Sequence, residues 1–438
     1  MKISVFGLGY VGCVSVGCLA KKGFNVIGVD ISEEKVRLVN SGQSTIVENG
    51  LEELILCGRK NGLINATQDT QKAVIESQIA LLCVGTPNLN EGHLDMQYIL
   101  RLSYEIAEAL KHKREFMTII IRSTVMPGTN LKVIETLEAF SGKKHNIDFA
   151  VVSNPEFLRE GDAISDFFSP PYTVIGSLSQ KGVEVTKELY NFLNCPVIEV
   201  DVKIAELIKF LNNSFHALKV AFANEVGRLC KELNVDSHEL MSLFVKDTEL
   251  NISPKYFRPG FSYGGSCLPK DLKALQAIAH DKYLELPILQ SIERSNRINT
   301  MAVYDRLLQA GKSNVGVYGL SFKEGTDDLR FSPSLELVEK LIGKGIKVMV
   351  YDSNVNSSKL VGKNKDFLFK HLPHVNEILF NNLNEVLERR EVILITQAVK
   401  FEDIDVIKLA CENSNISLLD LARTTELETL ETYSGISW

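Results

Sequence analysis

The sequence predicts an α/β protein built as two doubly wound domains joined by a long central helix. Three observations predict it. Short apolar strands alternate with helical stretches in both the amino-terminal and carboxyl-terminal parts of the chain. A strand at residues 2–6 runs directly into Gly7-Leu-Gly9-Tyr-Val-Gly12. Between the two α/β parts, apolar residues from Ile204 to Leu233 recur at steps of three and four.

The first strand, Lys2-Ile-Ser-Val-Phe6, is followed by the glycine turn and a predicted helix at Cys13–Lys22. A second strand, Asn25–Val29, ends at Asp30. Strand, G-x-G-x-x-G, helix and an acid ending the next strand form the dinucleotide fingerprint. Gly7 makes the turn, Gly9 admits a pyrophosphate close to the backbone, and Gly12 lets helix and strand pack. The pyrophosphate would rest on the helix N-terminus. Asp30 would accept hydrogen bonds from the adenosine ribose and repel a 2′-phosphate, so the expected cofactor is NAD rather than NADP. The expected cofactor contacts are Gly7, Gly9, Tyr10, Val11, Gly12, Asp30, Lys35, Thr86, Thr124 and Arg330.

Further strands are predicted at Ile79–Val84, Thr118–Ile121, Phe149–Ser153 and Tyr172–Ile175, with helices at Glu33–Ser41, Gln97–Lys111 and Leu131–Phe140. Ligands bind such sheets beyond the carboxyl ends of the strands. Thr86, Thr124 and Asn154-Pro-Glu156 fall at those ends and are expected to line one crevice. Glu156 and Glu160 would share a face if their turn were helical.

The long helix is predicted at Val202–Leu233 and would span about 48 Å at ~1.5 Å per residue. Its apolar positions (Ile204, Ile208, Leu211, Phe215, Leu218, Phe222, Val226, Leu229 and Leu233) read as a buried stripe. Lys209, Asn213 and His216 form a polar stripe opposite, expected to face a cleft. Helices at Ser237–Val245 and Leu286–Leu308 follow. From Ser313 a second Rossmann-like unit begins, with strands Asn314–Tyr318, Lys347–Tyr351, Val392–Thr396 and Ser417–Asp420 and a helix at Ser334–Gly343. Lys323 and Arg330 follow its first strand, two cations suited to a nucleotide diphosphate. The expected boundaries are 1–200 for the NAD-binding domain, 201–310 for a central helical domain with the long connecting helix and Cys267, and 311–438 for a second Rossmann-like domain suited to a nucleotide diphosphate.

The chemistry concentrates in Arg258-Pro-Gly-Phe-Ser-Tyr-Gly-Gly-Ser-Cys-Leu-Pro-Lys-Asp271. Ser266 reads as a helix N-cap and Pro269 as a first-turn residue. Cys267 would then meet the partial positive charge of a helix N-terminus, which favours the thiolate. Lys270 and Asp271 add a cation and a proton acceptor. A buried structural cysteine is the competing reading, but the flanking glycines and the charged pair favour a nucleophile.

Composition narrows the classes. The chain has 438 residues, 45% hydrophobic and 24% charged, with a formal net charge of −7. That balance is ordinary for a globular protein and argues against nucleic acid as the main partner. No apolar run is long enough to span a bilayer. The eight cysteines and eight histidines show neither paired CxxC nor HExxH spacing, so no metal is indicated and reduced thiols in a cytoplasm are expected.

These motifs, in this order, resemble the UDP-glucose/GDP-mannose dehydrogenase family of nucleotide-sugar 6-dehydrogenases over essentially the whole chain. Ile46-Val-Glu-Asn-Gly-Leu, Asn213-Ser-Phe-His216, Tyr256-Phe-Arg258 and the carboxyl-terminal Trp438 resemble its GDP-mannose branch. Lys255 stands where that branch tends to carry a second tyrosine, and Asn49 where a proline is usual. The resemblance implies oxidation of a sugar C6 hydroxyl to a carboxylate with two NAD in succession, for synthesis of a polysaccharide precursor. It implies a catalytic set of Cys267, Lys209, Asn213, Asp271, Glu160 and Thr124. The first base would be Lys209, or a water held by Asp271 and Thr124. The implied substrate contacts are Glu156, Leu158, Glu160, Lys209, Asn213, His216, Tyr256, Phe257, Arg258, Gly264 and Lys323. It also implies a homo-oligomer, a dimer or a multiple of dimers. A UDP-sugar 6-dehydrogenase is the alternative within the family. A two-electron hydroxyacid-type dehydrogenase and a silent dinucleotide-binding regulator are the rivals outside it, and neither needs Cys267.

Overall fold

The computed structural model describes residues 1–87, 94–253, 259–265, 268–322, 329–355, 375–414 and 416–436. They form two compact units, Met1–Ala217 and Leu218–Trp438.

The first unit carries strands β1 (Lys2–Phe6), β2 (Asn25–Val29), β3 (Ile64–Thr67), β4 (Ile79–Leu82), β5 (Met117–Ile121), β6 (Phe149–Ser153), β7 (Thr173–Ser177) and β8 (Val197–Val200). They form one sheet in the order β3-β2-β1-β4-β5-β6-β7-β8. All neighbours are parallel except β6 and β7, which pair antiparallel. Strands β4, β5 and β6 are buried along their whole length, as a sheet covered by helices on both faces requires. The chain steps outward from β1 to β3 and returns beside β1 as β4, so the crevice lies beyond the carboxyl ends of β1 and β4.

The second unit repeats the plan. Strands β9 (Asn314–Tyr318), β10 (Lys347–Tyr351), β11 (Leu379–Phe380), β12 (Val392–Ile395), β13 (Ser417–Asp420) and β14 (Tyr433–Gly435) form a sheet in the order β11-β10-β9-β12-β13-β14. Every neighbouring pair is parallel. The first turns correspond in detail. Gly7 has φ +93° and Gly319 φ +100°, and their amides donate to Val29 O and Tyr351 O at 2.7 and 2.8 Å. The next amides, of Leu8 and Leu320, donate to Asp30 and Asp352 at 2.7 and 2.8 Å. The doubly wound prediction therefore holds for both units.

One long helix, Val202–Glu232, runs through the boundary between the units. In its amino-terminal half the burial reverses the sequence expectation, while Phe222 and Leu229 of the stripe pack into a small apolar cluster as expected. Ile204, Leu211 and Phe215 of the apolar stripe are exposed at 54, 56 and 39%, while Ala205, Glu206 and Lys209 are buried. The reason is local: this face packs on the polar exits of the first sheet, where the backbone offers donors rather than apolar surface. Glu206 accepts from the amides of Gly128 and Asn130 at 2.6 and 2.7 Å, and so caps the helix Thr129–Ser141. In the second unit Glu225 does the same for the helix Pro287–Gln309, accepting from Ile288 and Leu289 at 2.8 and 3.2 Å.

Candidate active site

The glycine turn explains itself residue by residue. A Cβ on Gly12 would stand 1.7 Å from the Gly7 carbonyl oxygen, and one on Gly7 would stand 2.8 Å from Cys83 O. Those two glycines are needed by the fold. Gly9 is not: its φ is −80°, open to any residue, and among the described residues no atom beyond its chain neighbours lies within 4 Å of the place a Cβ would take. It is the N-cap of the helix Tyr10–Lys21 and supplies no side-chain cap to the first-turn amides. A pyrophosphate is the group that such a turn accommodates.

Asp30 ends β2 and is held in place by three donors: Leu8 N at 2.7 Å, Ser32 N at 2.9 Å and Lys35 Nζ at 3.2 Å. Across the crevice, the Thr86 hydroxyl donates to Thr124 O at 2.7 Å, joining the exits of β4 and β5. Tyr10 donates to Glu48, which also accepts from the amides of Gly161 and Ala163 at 2.8 and 3.0 Å. Burial opposes ionisation of Glu48, but Tyr10 and the two amides outweigh it and hold the carboxyl below its usual range. Val11 follows Tyr10 on the same first turn. These residues are of a kind that would hold NAD, its pyrophosphate over Gly9 and the helix N-terminus and its adenosine ribose against Asp30.

The exit of β6 builds the second half of the crevice. Asn154 is strapped on both sides: its Oδ1 accepts from Arg122 Nη1 at 2.6 Å and its Nδ2 donates to Val174 O at 2.7 Å. Arg122 also donates to the Tyr190 hydroxyl at 2.7 Å, and its Nε has no partner among the described residues. Burial works against the Arg122 charge, yet Tyr190, Cys83 and Glu156 around it keep its pKa above the usual arginine value. Two residues on, Glu156 accepts from Leu158 N at 2.6 Å and pairs with Lys209 Nζ at 2.9 Å. Both side chains are about nine-tenths buried, at 9 and 10% exposure. The Phe157 ring lies 5.9 Å from the Lys209 ammonium and meets Tyr172 edge-on at 5.5 Å, and Tyr172 accepts from Asn212 at 3.3 Å. A cavity of about 400 Å³ lies against this wall, with Arg122, Leu158, Asn212 and His216 in its lining.

The turn after Glu156 is not helical, so Glu156 and Glu160 do not share a helix face: Glu156 is buried and Glu160 exposed. Asn213 is exposed, and Asn212, three residues after Lys209, joins His216 at the cavity. Arg122, Tyr172 and Asn212 were absent from the sequence expectation. Position relative to Lys209 was the available signal for Asn212; none was available for Tyr172, which arrives through tertiary packing.

In the second unit Tyr256, Phe257, Arg258, Ser266, Cys267 and Lys323 lie outside the described residues. The loop before Cys267 is described. A Cβ on Gly264 would stand 2.4 Å from Phe331 O, and Gly265, with φ +90°, lies against the Phe322 ring. The helix after it is Leu268–Asp281, with Pro269 in its first turn. Asp271 is exposed and pairs with Lys270 at 3.0 Å, and Arg330 is half-buried near the end of the segment that Gly264 touches. Burial pushes the thiols of Cys18 and Cys83 up to about 12 and that of Cys411 up to about 11, which makes them poor nucleophiles at neutral pH.

Three family models match in order. They are the NAD binding, central and UDP binding domains of the UDP-glucose/GDP-mannose dehydrogenase family, over residues 1–194, 203–298 and 316–425. The chain belongs to this family. It is similar to GDP-mannose 6-dehydrogenases of Pseudomonas aeruginosa, 44% identical over 100% of both chains, and Azotobacter vinelandii, 43% identical over 100% of both. A UDP-glucose 6-dehydrogenase of Bacillus subtilis is 34% identical over 80% of this chain and 76% of its own. Among solved structures, a ternary complex of GDP-mannose dehydrogenase from Pseudomonas aeruginosa aligns with a TM-score of 0.94, covering 100% of both chains at 43% identity. A UDP-glucose dehydrogenase from Pyrobaculum islandicum aligns at 0.55, with 28% identity over 100% of this chain and 98% of its own. As a member of the family, the chain is an NAD-dependent nucleotide-sugar 6-dehydrogenase.

Proposed function

We propose that the substrate is GDP-mannose and that the chain converts it to GDP-mannuronate, a four-electron oxidation. The observation that carries this reading is the likeness to GDP-mannose 6-dehydrogenases at 43–45% identity over 90–100% of the chain, against 34% over 80% for a UDP-glucose enzyme. Initial rates on GDP-mannose, UDP-glucose and UDP-N-acetylmannosamine under one set of conditions test it. GDP-mannose should be preferred by at least about tenfold, ~1.4 kcal/mol, and equal or faster turnover of UDP-glucose would reverse the assignment.

Bound NAD accepts the hydride in each oxidation. The residues divide the remaining work. Lys209, fixed by Glu156, and Asn213 stabilise the oxygen anion that develops at C6, and the hydroxyl proton goes to Lys209 or to a water held by Asp271 and Thr124. The resulting aldehyde has no second hydride to give until a nucleophile adds. Cys267 adds through sulfur, its proton going to the carbonyl oxygen, and the thiohemiacetal then loses hydride and proton to become a thioester. Glu160 guides water onto that thioester, releasing the carboxylate and restoring the thiol. Leu158, His216, Tyr256, Phe257, Arg258, Gly264 and Lys323 bind the sugar and its diphosphate, and Arg330 serves the cofactor. The three regions 1–200, 201–310 and 311–438 separate cofactor binding, the nucleophile and nucleotide-sugar binding.

The protein assembles at least as a dimer in this reading. Support comes from the exposed Leu207, Leu211, Phe215 and Leu218 on the long helix, apolar surface that monomers rarely leave open. Sedimentation at micromolar concentration should show no monomer. No described helix is long and apolar enough to cross a membrane, and all seven described cysteines are free thiols, which supports a reducing cytoplasm.

A further inference from the structure

We infer that Asn296 is a positioning residue for the nucleophile: it clamps the loop that delivers Cys267. The inference rests on the thioester reading above. The loop Gly260–Gly265 leads straight into Ser266 and Cys267, and its backbone is held at nearly every step. Asn296 Oδ1 accepts from Tyr263 N at 2.9 Å while its Nδ2 donates to Tyr263 O at 2.9 Å. One carboxamide thus supplies both halves of a β-ladder rung to a single residue. The Asn296 carbonyl accepts from the Ser262 hydroxyl at 2.9 Å, and Thr300 Oγ1 donates to that same hydroxyl at 2.8 Å. Asn299 donates to Gly260 O at 3.1 Å, and Phe261 N donates to Leu421 O at 3.1 Å.

Residues 296, 299 and 300 share one face of the helix Pro287–Gln309 at the i, i+3, i+4 spacing. That helix is a rigid platform. Glu225 caps its start, and Val303, Tyr304 and Leu307 bury its later turns in the core of the second sheet. The loop cannot relax the other way either, because Gly264 and Gly265 already lie against Phe331 and Phe322. A displacement of ~1 Å at a reacting group can cost about a hundredfold in rate, so a clamp on this loop should act most strongly on the covalent step and less on the first hydride transfer, which draws on this loop through Gly264 alone.

The test is rapid-mixing absorbance of NADH formation on GDP-mannose, with hydroxylamine present to trap free aldehyde as its oxime. The unmodified protein should form two NADH per sugar. Asn296→Ala, confirmed folded by circular dichroism and by unchanged NAD binding, should form the first NADH within about threefold of normal. Its second should slow by roughly 10- to 100-fold, with oxime accumulating. Thr300→Val, a near-isosteric change that loosens only Ser262, should show the same pattern at a few-fold and decides the matter if Asn296→Ala does not fold. Two NADH at normal rates, or an equal slowing of both steps, would overturn the clamp. Cys267→Ser run in parallel separates the two ideas: if it still yields two NADH and no oxime, the nucleophile assignment fails, whatever Asn296→Ala does.

Discussion

Gly9 offers the sharpest separation of folding from binding. Glycine here is required neither by conformation, since φ is −80°, nor by packing, since among the described residues no atom beyond its chain neighbours lies within 4 Å of where an alanine methyl would stand. Gly9→Ala should therefore leave the cofactor-free protein intact, or stabilise it by ~0.4–1 kcal/mol through the lost freedom of the unfolded chain. The methyl enters the space over the helix N-terminus, where a pyrophosphate must approach the backbone. Overpacking a formed contact costs about 1–3 kcal/mol, and ~1.4 kcal/mol is tenfold in Kd, so NAD should bind about 5- to 150-fold more weakly. Gly12→Ala is the counterpart: its methyl would overlap Gly7 O at 1.7 Å and should destabilise the fold itself. Thermal unfolding without cofactor and calorimetric titration with NAD read the two effects separately. Unchanged NAD affinity in Gly9→Ala, or a cofactor-free protein that melts well below the parent, would refute the reasoning.

Other outcomes follow from the same geometry. Asp30→Ser should narrow the preference for NAD over NADP by at least about tenfold, ~1.4 kcal/mol, read as the ratio of kcat/KM values; equal use of both cofactors by the unmodified protein would sink this role for Asp30. Lys209→Met leaves Glu156 buried without its cation and should cost roughly 3–5 kcal/mol of stability. Lys209→Met with Glu156→Leu should recover much of that in denaturant unfolding yet remain inactive, and recovery of activity would make the pair merely structural. Because the folded-state pKa of Glu48 is lowered, its contribution is present above the ordinary carboxylate range and lost as pH falls through the folded value. The melting-temperature difference between the parent and Glu48→Gln should thus shrink on acidification, and a pH-independent difference would contradict it.

Much of the architecture could be read from the sequence because it is locally encoded. Asn25–Val29, Phe149–Ser153, Asn314–Tyr318, Lys347–Tyr351 and Ser417–Asp420 have the predicted bounds, each a short apolar run closed by a turn signal. β3 and β8 went unread, since Ile64-Asn-Ala-Thr67 and Val197-Ile-Glu-Val200 are partly exposed at the sheet's edges and lack the full apolar run. The long helix was legible as a helix but not in its facing. Periodicity identifies an apolar stripe without saying what covers it: in the first half of the helix the buried face carries Glu206 and Lys209, and only later do Phe222 and Leu229 of the stripe find apolar cover. At the site, Asp30, Glu156 and Lys209 stood out as charges at strand ends or on a polar stripe. Arg122, Tyr172, Glu48 and Asn296 did not, because their importance lies in partners 32, 15, 113 and 33 positions away along the chain.

The central claim is that Cys267 carries the sugar as a thioester between the second hydride transfer and hydrolysis. Intact-protein mass spectrometry of Glu160→Gln, mixed with GDP-mannose and excess NAD and quenched in acid, tests it directly. A covalent adduct with the mass of the GDP-mannuronyl acyl group is expected, located on Cys267 by peptide mapping and released by hydroxylamine. No adduct in Glu160→Gln, together with uronate formed at a near-normal rate by Cys267→Ser, would contradict it.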